Sequence, residues 1–315
     1  MSKPVLLQIG KVLPTMAARL GAGFEVIAYN DDVASLAGVT EDVVAVATMK
    51  GITDETMAAL PNLKVISSFG VGYDSINADA AAARGIIVCH TPDVLNDEVA
   101  DTAIMLWLAV SKELVPSEAW ARSGDGETKG NYPLTRSIRG RKVGILGLGR
   151  IGQTIAELAE VFGAEVSYHT RSEKDVPYRY YSDLVAMARD VEVMFVITPG
   201  GPATEKLVNA EVMAALGPEG ILINVARGSV VDEAALVEAL TSGALGAAGL
   251  DVFEEEPKVH DGLKGLKNVV LVPHIGSATV ETREAMGALV CENLDAWARD
   301  GRCVTPVPEC KHLNT

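Results

Sequence analysis

Lys142-Val143-Gly144-Ile145-Leu146-Gly147-Leu148-Gly149-Arg150-Ile151-Gly152-Gln153 is the stretch from which the fold can be read. Val143 to Leu146 is a short apolar run of the kind that forms a buried strand. Glycines at 147, 149 and 152 follow, and Thr154 to Glu160 continues in a helical pattern. Between a strand and a helix, the spacing Gly-x-Gly-x-x-Gly has a mechanical reason. The first glycine permits a tight turn, the second lets the backbone approach a pyrophosphate, and the third lets helix and strand pack closely. An anion held there meets the helix's unpaired N–H groups and the positive end of its dipole. An ordinary turn could carry the same glycines. Strand, glycines and helix in this order point instead to a dinucleotide site lined by Gly147, Leu148, Gly149, Arg150, Ile151 and Gly152.

On the N-terminal side, strand and helix signals alternate. Apolar runs at Pro4–Ile9, Phe24–Tyr29, Asp42–Thr48, Leu63–Ser68 and Ile86–Cys89 read as strands, with helical stretches at Thr53–Leu60 and Asn77–Arg84. Asn96 or Asp97 can cap a long helix from Glu98 to Lys112, whose apolar residues cover more than one face. Ser123 to Asn131 reads as a polar, glycine-rich loop. Beyond the glycine turn, strands are expected at Glu165–His169, Val191–Thr198, Gly220–Val225, Ala247–Val252 and Val269–Pro273, and a last helix at Val280–Arg299. Such alternation implies parallel sheets with helices on both faces, hence an α/β fold of two units. Ser68-Phe69-Gly70-Val71-Gly72-Tyr73-Asp74 also ends a strand in glycines, but Ser75 stands where a third glycine belongs, so it is not a second fingerprint.

Composition narrows the function classes. A chain of 315 residues is long enough for two domains with substantial cores. A net charge of −15 argues against a nucleic-acid or anionic-membrane surface, while leaving room for an anion captured locally by an arginine. The four cysteines, Cys89, Cys291, Cys303 and Cys310, show neither metal-ligand spacing nor a disulfide framework, so no metal is expected. The longest apolar stretch, Ala103 to Val110, is too short to span a bilayer, and the N-terminus lacks a signal-sequence pattern. A cytoplasmic protein with reduced thiols is expected.

In open α/β sheets, ligands bind outside the carboxyl ends of the strands, so the residues just after each strand matter most. After the second strand of the nucleotide unit, an acidic residue normally accepts the ribose 2′-hydroxyl of NAD. Here the chain reads Tyr168-His169-Thr170-Arg171-Ser172-Glu173-Lys174, with Thr170 in the acid's place. A carboxylate would repel a 2′-phosphate, whereas Arg171 beside Thr170 and Ser172 can hold one, so NADP(H) is preferred, with NAD(H) as the alternative. The Gly- and Pro-rich loop containing Thr198, Pro199 and Thr204 is expected to lie along the cofactor. Further strand ends carry Arg227, Asp251 and His274. Singly, each has a bland reading as a surface or structural residue. An arginine, an acid and a histidine at successive strand ends beside a cofactor make a hydride-transfer site.

This constellation resembles the D-isomer-specific 2-hydroxyacid dehydrogenase family over nearly the whole chain. The motifs are Phe69-Gly70-Val71-Gly72-Tyr73-Asp74, Gly147 to Gly152, Asn224-Val225-Ala226-Arg227-Gly228, Asp251-Val252-Phe253 with Glu256-Pro257, and Pro273-His274-Ile275-Gly276. Within the family, Tyr168 to Ser172 looks like the NADPH-preferring glyoxylate/hydroxypyruvate reductases. The resemblance implies two Rossmann-like or flavodoxin-like parallel-sheet domains with a cleft between them. A discontinuous substrate domain would span 1–99 and 284–315, around a dinucleotide-binding domain at 100–283. A homodimer built on the cofactor domain is also implied.

Carried onto matching positions, the resemblance gives each residue a role. Arg227 would bind the 2-oxo acid's carboxylate and polarise its carbonyl, His274 would donate the proton, and Glu256 would orient and charge the imidazole. The N–H groups of Val71 and Gly72 would hold the carboxylate, and Met49 would line the substrate pocket. Val71 and Thr102 would flank the nicotinamide, with Val225, Ala226, Asp251 and Gly276 also beside the cofactor. The expected activity is NADPH-dependent reduction of small 2-oxo acids such as glyoxylate and hydroxypyruvate. Aryl pyruvates are an alternative substrate class, and a non-catalytic NAD(P)-sensing protein of the same fold is an alternative function.

Overall fold

Short apolar strands separated by alanine-rich or amphipathic helices must bury both sheet faces, and the chain does so twice. The computed structural model describes residues 3–29 and 32–315, which divide into two units, Met1–Leu95 with Thr279–Thr315, and Asn96–Ala278. The first runs β1 (Val5–Ile9), α1 (Pro14–Gly23), β2 (Glu25–Tyr29), β3 (Val43–Thr48), α2 (Asp54–Ala58), β4 (Val65–Ser68), α3 (Ala78–Ala83) and β5 (Ile87–Cys89). Its five strands are parallel in the order β2-β1-β3-β4-β5. The strands β4 and β5 are buried at every residue, Ser67 and Ser68 of β4 included, as strands covered on both faces are. Side-chain caps start the helices between them: Thr53 Oγ1 accepts the N–H of Thr56 at 3.1 Å, and Asn77 Oδ1 that of Ala80 at 3.1 Å.

The second unit runs α4 (Asn96–Ser111), α5 (Leu114–Ser123), α6 (Asp125–Lys129), β6 (Lys142–Leu146), α7 (Arg150–Val161), β7 (Glu165–His169), β8 (Arg179–Tyr181) and α8 (Leu184–Asp190). It continues through β9 (Val193–Val196), α9 (Ala210–Leu216), β10 (Ile221–Asn224), α10 (Glu233–Ser242), β11 (Ala247–Leu250), α11 (Asp261–Lys264) and β12 (Val269–Leu271). The helix α12 (Val280–Asp300) then returns to the first unit. The seven strands are parallel in the order β12-β11-β10-β9-β6-β7-β8. Strands after β6 are laid to one side, and from β9 onward to the other. The switch point, where a crevice forms at the strand ends, therefore lies between β6 and β9.

The buried helix α4 packs on this sheet. Trp107, without solvent exposure, meets Phe162 and Phe195 edge-on, both at 5.8 Å between ring centroids. Gly249 on β11 makes that approach possible, since a Cβ there would stand 3.0 Å from the Leu106 Cβ.

Two local expectations need correcting, and two elements were not foreseen. Ser123–Asn131 is not wholly loop: α6 forms within it, supported by the Asp125–Lys129 pair at 2.9 Å one helical turn apart. Gly124, at φ +75°, ends α5 and allows the restart. Asn96 and Asp97 are the first residues of α4 rather than caps before it. The helix α1 begins at Pro14, where the missing N–H costs nothing, and the strand β8 is an added edge strand. Among the described residues, no helix is long and apolar enough to cross a membrane.

All four cysteines are buried thiols. A hydrogen bond with Cys303 and burial push the Cys89 thiol well up, burial pushes Cys291 up to about 11, and burial raises Cys310. Because the thiolate is the nucleophile, the folded protein should give no fast reaction with a thiol reagent at about pH 8. The four thiols found by sequence should all react once guanidinium is added. Rapid labelling of the native protein would contradict this burial.

Candidate active site

At the switch point the glycine turn has the shape its sequence demands. Gly147 has φ +103°, and a Cβ on it would lie 2.7 Å from Thr198 N, so the ends of β6 and β9 touch through backbone alone. A Cβ on Gly152 would lie 2.3 Å from the Gly147 carbonyl oxygen, which brings α7 onto its own strand. At Gly149 a Cβ would meet nothing within 4 Å. That open side faces the start of the twelve-residue α7, where Gly149 is the N-cap and no side chain caps the helix. The early N–H groups of a helix lack intrahelical acceptors, so the turn fits a pyrophosphate. Leu148 is fully buried, so only its backbone can take part.

After β7, Thr170 is partly exposed, and Arg171 and Ser172 are exposed. No carboxylate occupies the Thr170 position. After β9, the Thr204 hydroxyl donates to the Pro199 carbonyl at 2.7 Å and so folds the Thr198–Thr204 loop upon itself.

The ends of β10, β11 and β12 carry the titratable groups. Buried Asn224 fixes the first of them: its Oδ1 accepts the Ala226 N–H at 3.0 Å, and its Nδ2 donates to the Arg227 carbonyl at 3.0 Å. Val225 and Ala226 turn their side chains into the core, while Arg227 is partly exposed. Gly228 packs directly on the next turn, since a Cβ there would stand 1.9 Å from the Phe253 carbonyl carbon. The loop bearing Glu256 is thereby set against the turn bearing Arg227.

Glu256 and His274 form the central pair, with Nδ1 to Oε2 at 2.7 Å, and Glu256 Oε1 accepts the Phe253 N–H at 3.1 Å. Burial opposes ionisation of Glu256. The hydrogen bond and charge of His274, the Phe253 N–H and the charge of Arg227 outweigh it and hold the carboxyl below the usual range. His274 is exposed and has φ +52°, a left-handed conformation unusual for a side-chain-bearing residue. Asp251, only 2% exposed, maintains that turn. Its oxygens accept the N–H groups of Ile275 at 2.6 Å and Gly276 at 2.9 Å, and its own carbonyl accepts that of His274 at 2.8 Å. Burial raises the Asp251 pKa, an effect these N–H groups and the charge of His274 only partly offset.

Met49, Val71 and Gly72 belong to the other unit, all partly exposed, at the ends of β3 and β4. The Val71 carbonyl is 2.9 Å from His90 Nδ1, and the ring of His90 meets Tyr73 edge-on at 5.5 Å. Tyr73 in turn donates to Glu309 at 3.1 Å, tying the glycine loop to the C-terminal segment. Thr102 lies buried on α4.

Sequence reasoning passed over one residue that this geometry brings forward. Glu233, 6% exposed, accepts the N–H of Glu254 at 2.8 Å and that of His260 at 3.4 Å, so it grips both ends of the segment holding Glu256. In sequence it looks like an ordinary acidic residue in the first turn of a helix.

Comparison with known proteins follows the same lines. The profile described as D-isomer specific 2-hydroxyacid dehydrogenase, NAD binding domain, matches residues 104–276. Hydroxyphenylpyruvate reductase of Plectranthus scutellarioides is 47% identical over 258 residues, 82% of either chain. Glyoxylate/hydroxypyruvate reductase A of Arabidopsis thaliana is 46% identical over 258 residues, again 82% of either chain. Among solved structures, the NADPH-dependent glyoxylate/hydroxypyruvate reductase of Sinorhizobium meliloti, in complex with NADP and malonate, superposes with a TM-score of 0.95. It is 47% identical, with 98% of each chain covered.

The lowered pKa of Glu256 gives the pair a pH signature. A carboxyl depressed in the folded state contributes stability above its unfolded value, and loses it as pH falls through the folded value. The melting temperature of wild type should therefore exceed that of Glu256→Gln at neutral pH. The gap should close only as pH is taken below the ordinary glutamate value of about 4.3. A gap that does not change with pH would show that the charge pair is not its source.

Proposed function

Because the chain belongs to the D-isomer-specific 2-hydroxyacid dehydrogenase family, we propose that it reduces small 2-oxo acids, glyoxylate and hydroxypyruvate foremost, using NADPH. The observation that carries this reading is the 2.7 Å contact between His274 Nδ1 and Glu256, which commits one ring nitrogen and leaves Nε2 to give up a proton. Relatives of matching length that are named for these reductions support it. Arg171 at the end of β7, with no acid before it, supports NADPH over NADH as the preferred cofactor, NADH remaining usable.

The chemistry assigns one task to each residue. Arg227 pairs with the substrate carboxylate and draws electron density from the 2-oxo group. The N–H groups of Val71 and Gly72 are assigned to substrate binding. The cofactor, when bound, supplies hydride to the carbonyl carbon. His274 Nε2 gives its proton to the oxygen as negative charge develops there. Glu256 holds the other ring nitrogen and so fixes the orientation of the imidazole. Asp251 keeps the turn through Ile275 and Gly276 in place, and Thr102 is assigned to the nicotinamide. Each turnover takes up one hydride and one proton. Met49, unbranched and adaptable, is assigned to the wall that meets the substrate's third carbon and beyond. The 47% identity to a hydroxyphenylpyruvate reductase favours aryl pyruvates as a second substrate class.

A homodimer through the cofactor unit belongs to the same reading. That unit carries an apolar groove of about 460 Å³ lined by Ile104, Met105, Leu108, Leu114, Val161 and Phe162. Val161 is 71% exposed and Leu114 55%, and a contiguous exposed apolar patch of this kind marks a contact surface. The four buried thiols support a cytoplasmic setting.

Initial rates with glyoxylate, hydroxypyruvate and phenylpyruvate, each with NADPH and NADH, test the assignment. His274→Ala should lower kcat by about 100-fold or more, the usual worth of a positioned proton donor, with little change in cofactor KM. Turnover that survives in this variant would remove His274 from its role. Light scattering should give twice the chain mass of 33.1 kDa, reduced towards one chain in Val161→Glu. A single-chain mass for wild type would reject the dimer.

A further inference from the structure

Tyr168 lies on β7 without solvent exposure, directly opposite Tyr180 on β8, with ring centroids 5.4 Å apart. Its hydroxyl reaches six residues forward, accepting the N–H of Lys174 at 2.8 Å and donating to the Lys174 carbonyl at 3.2 Å. One buried hydroxyl thus satisfies both backbone groups of a single residue and closes the far end of the loop that follows β7. The Tyr180 hydroxyl holds the near end, donating to the Thr170 carbonyl at 3.2 Å. Inside the loop, the Thr170 hydroxyl donates to the Ser172 carbonyl at 2.7 Å. Arg171, Ser172 and Glu173 are the exposed residues between these ties.

We propose that Tyr168 and Tyr180 are positioning residues for cofactor choice, which hold the Thr170–Lys174 loop in the shape that presents Arg171 and Ser172 to a 2′-phosphate. The inference rests on the reading of that loop as the phosphate-binding segment. Its physical basis is ordering. An untied loop of this length samples many conformations, and fixing it on binding costs conformational entropy. A loop already tied at both ends has met that cost during folding, so an arginine on it binds as part of a preorganised site. Only a ligand that uses the loop benefits. NADPH has the phosphate that Arg171 would grip and NADH does not, so the two tyrosines would act on the first and be nearly silent for the second. If they served only to pack the edge strand β8, their loss would lower stability without distinguishing the cofactors.

Steady-state kinetics of Tyr168→Phe, Tyr180→Phe and Arg171→Ala, with NADPH and NADH against one 2-oxo acid, test the proposal alongside melting temperatures. Tyr168→Phe, which removes both hydrogen bonds of that hydroxyl, should raise KM for NADPH about five- to tenfold. KM for NADH and kcat with either cofactor should stay within about twofold, because the hydride-transfer groups are untouched. Tyr180→Phe, at a partly exposed position, should shift the same ratio in the same direction by less, and serves if the buried variant folds poorly. An equal rise in both KM values, or a lower melting temperature with an unchanged KM ratio, overturns the proposal. Arg171→Ala separates the two levels. If it leaves the ratio intact, the loop does not bind the phosphate and both ideas fall. If it abolishes the preference while both tyrosine variants retain it, only the positioning role falls.

Discussion

The buried carboxylate of Asp251 is the constraint on which the catalytic geometry depends. It is almost wholly removed from water, and two short hydrogen bonds to Ile275 and Gly276 offset that removal only in part, since its pKa remains raised. A buried acid in this position is expensive to keep and costs more to disturb. What it maintains is the left-handed turn at His274, a conformation that costs a non-glycine residue about 1–3 kcal/mol where nothing else requires it. With the turn in place, the imidazole meets Glu256 at 2.7 Å. Gly276 belongs to the same arrangement, because a Cβ there would stand 2.7 Å from the Asp251 carboxylate.

The other strand ends follow the same rule: functional side chains are held by contacts between backbones. Gly228 abuts Phe253, Gly147 abuts Thr198, and Gly152 abuts Gly147. Each contact fixes one strand end against its neighbour with no rotamer to vary. Side chains then add direction. Asn224 sets the Arg227 turn, and Glu233 grips the backbone at Glu254 and His260 on either side of Glu256. Hydrogen-bonded supports of this kind keep groups within the small tolerance that proton and hydride transfer require.

This division explains what could be read from sequence and what could not. Parallel-sheet strands covered on both faces appear as mainly apolar runs, so β5, β9 and the Val143–Leu146 part of β6 were legible, as was the turn whose glycines are spaced by a ligand's needs. Arg227, Asp251 and His274 stood out because each follows such a run. The three-residue strand β8 has too few residues to show a period, and α6 depends on one exposed ion pair and a left-handed glycine. Glu233 was invisible for another reason. Its partners lie 21 and 27 residues onward, and only the folded loop brings their N–H groups over it. Tyr168 likewise reads as one more apolar residue of a strand until its hydroxyl is seen to close a loop.

A net charge of −15 on a chain that takes an anionic cofactor and an anionic substrate poses an electrostatic conflict, which range resolves. At physiological ionic strength the Debye length is about 8 Å, so exposed carboxylates farther away contribute little at the site. On the proposed reading, capture there is governed by the local set of donors: N–H groups at the start of α7, exposed Arg171, and Arg227 near a carboxylate already engaged with His274 and the Phe253 N–H. Glu254, which could otherwise add negative charge near that turn, lies 3.6 Å from Lys206, itself 3.8 Å from Asp232. Glu256, Glu254 and Asp251 are thus matched to a histidine, a lysine and backbone N–H groups respectively. Surplus negative charge elsewhere keeps the surface soluble without setting the potential where the substrate binds.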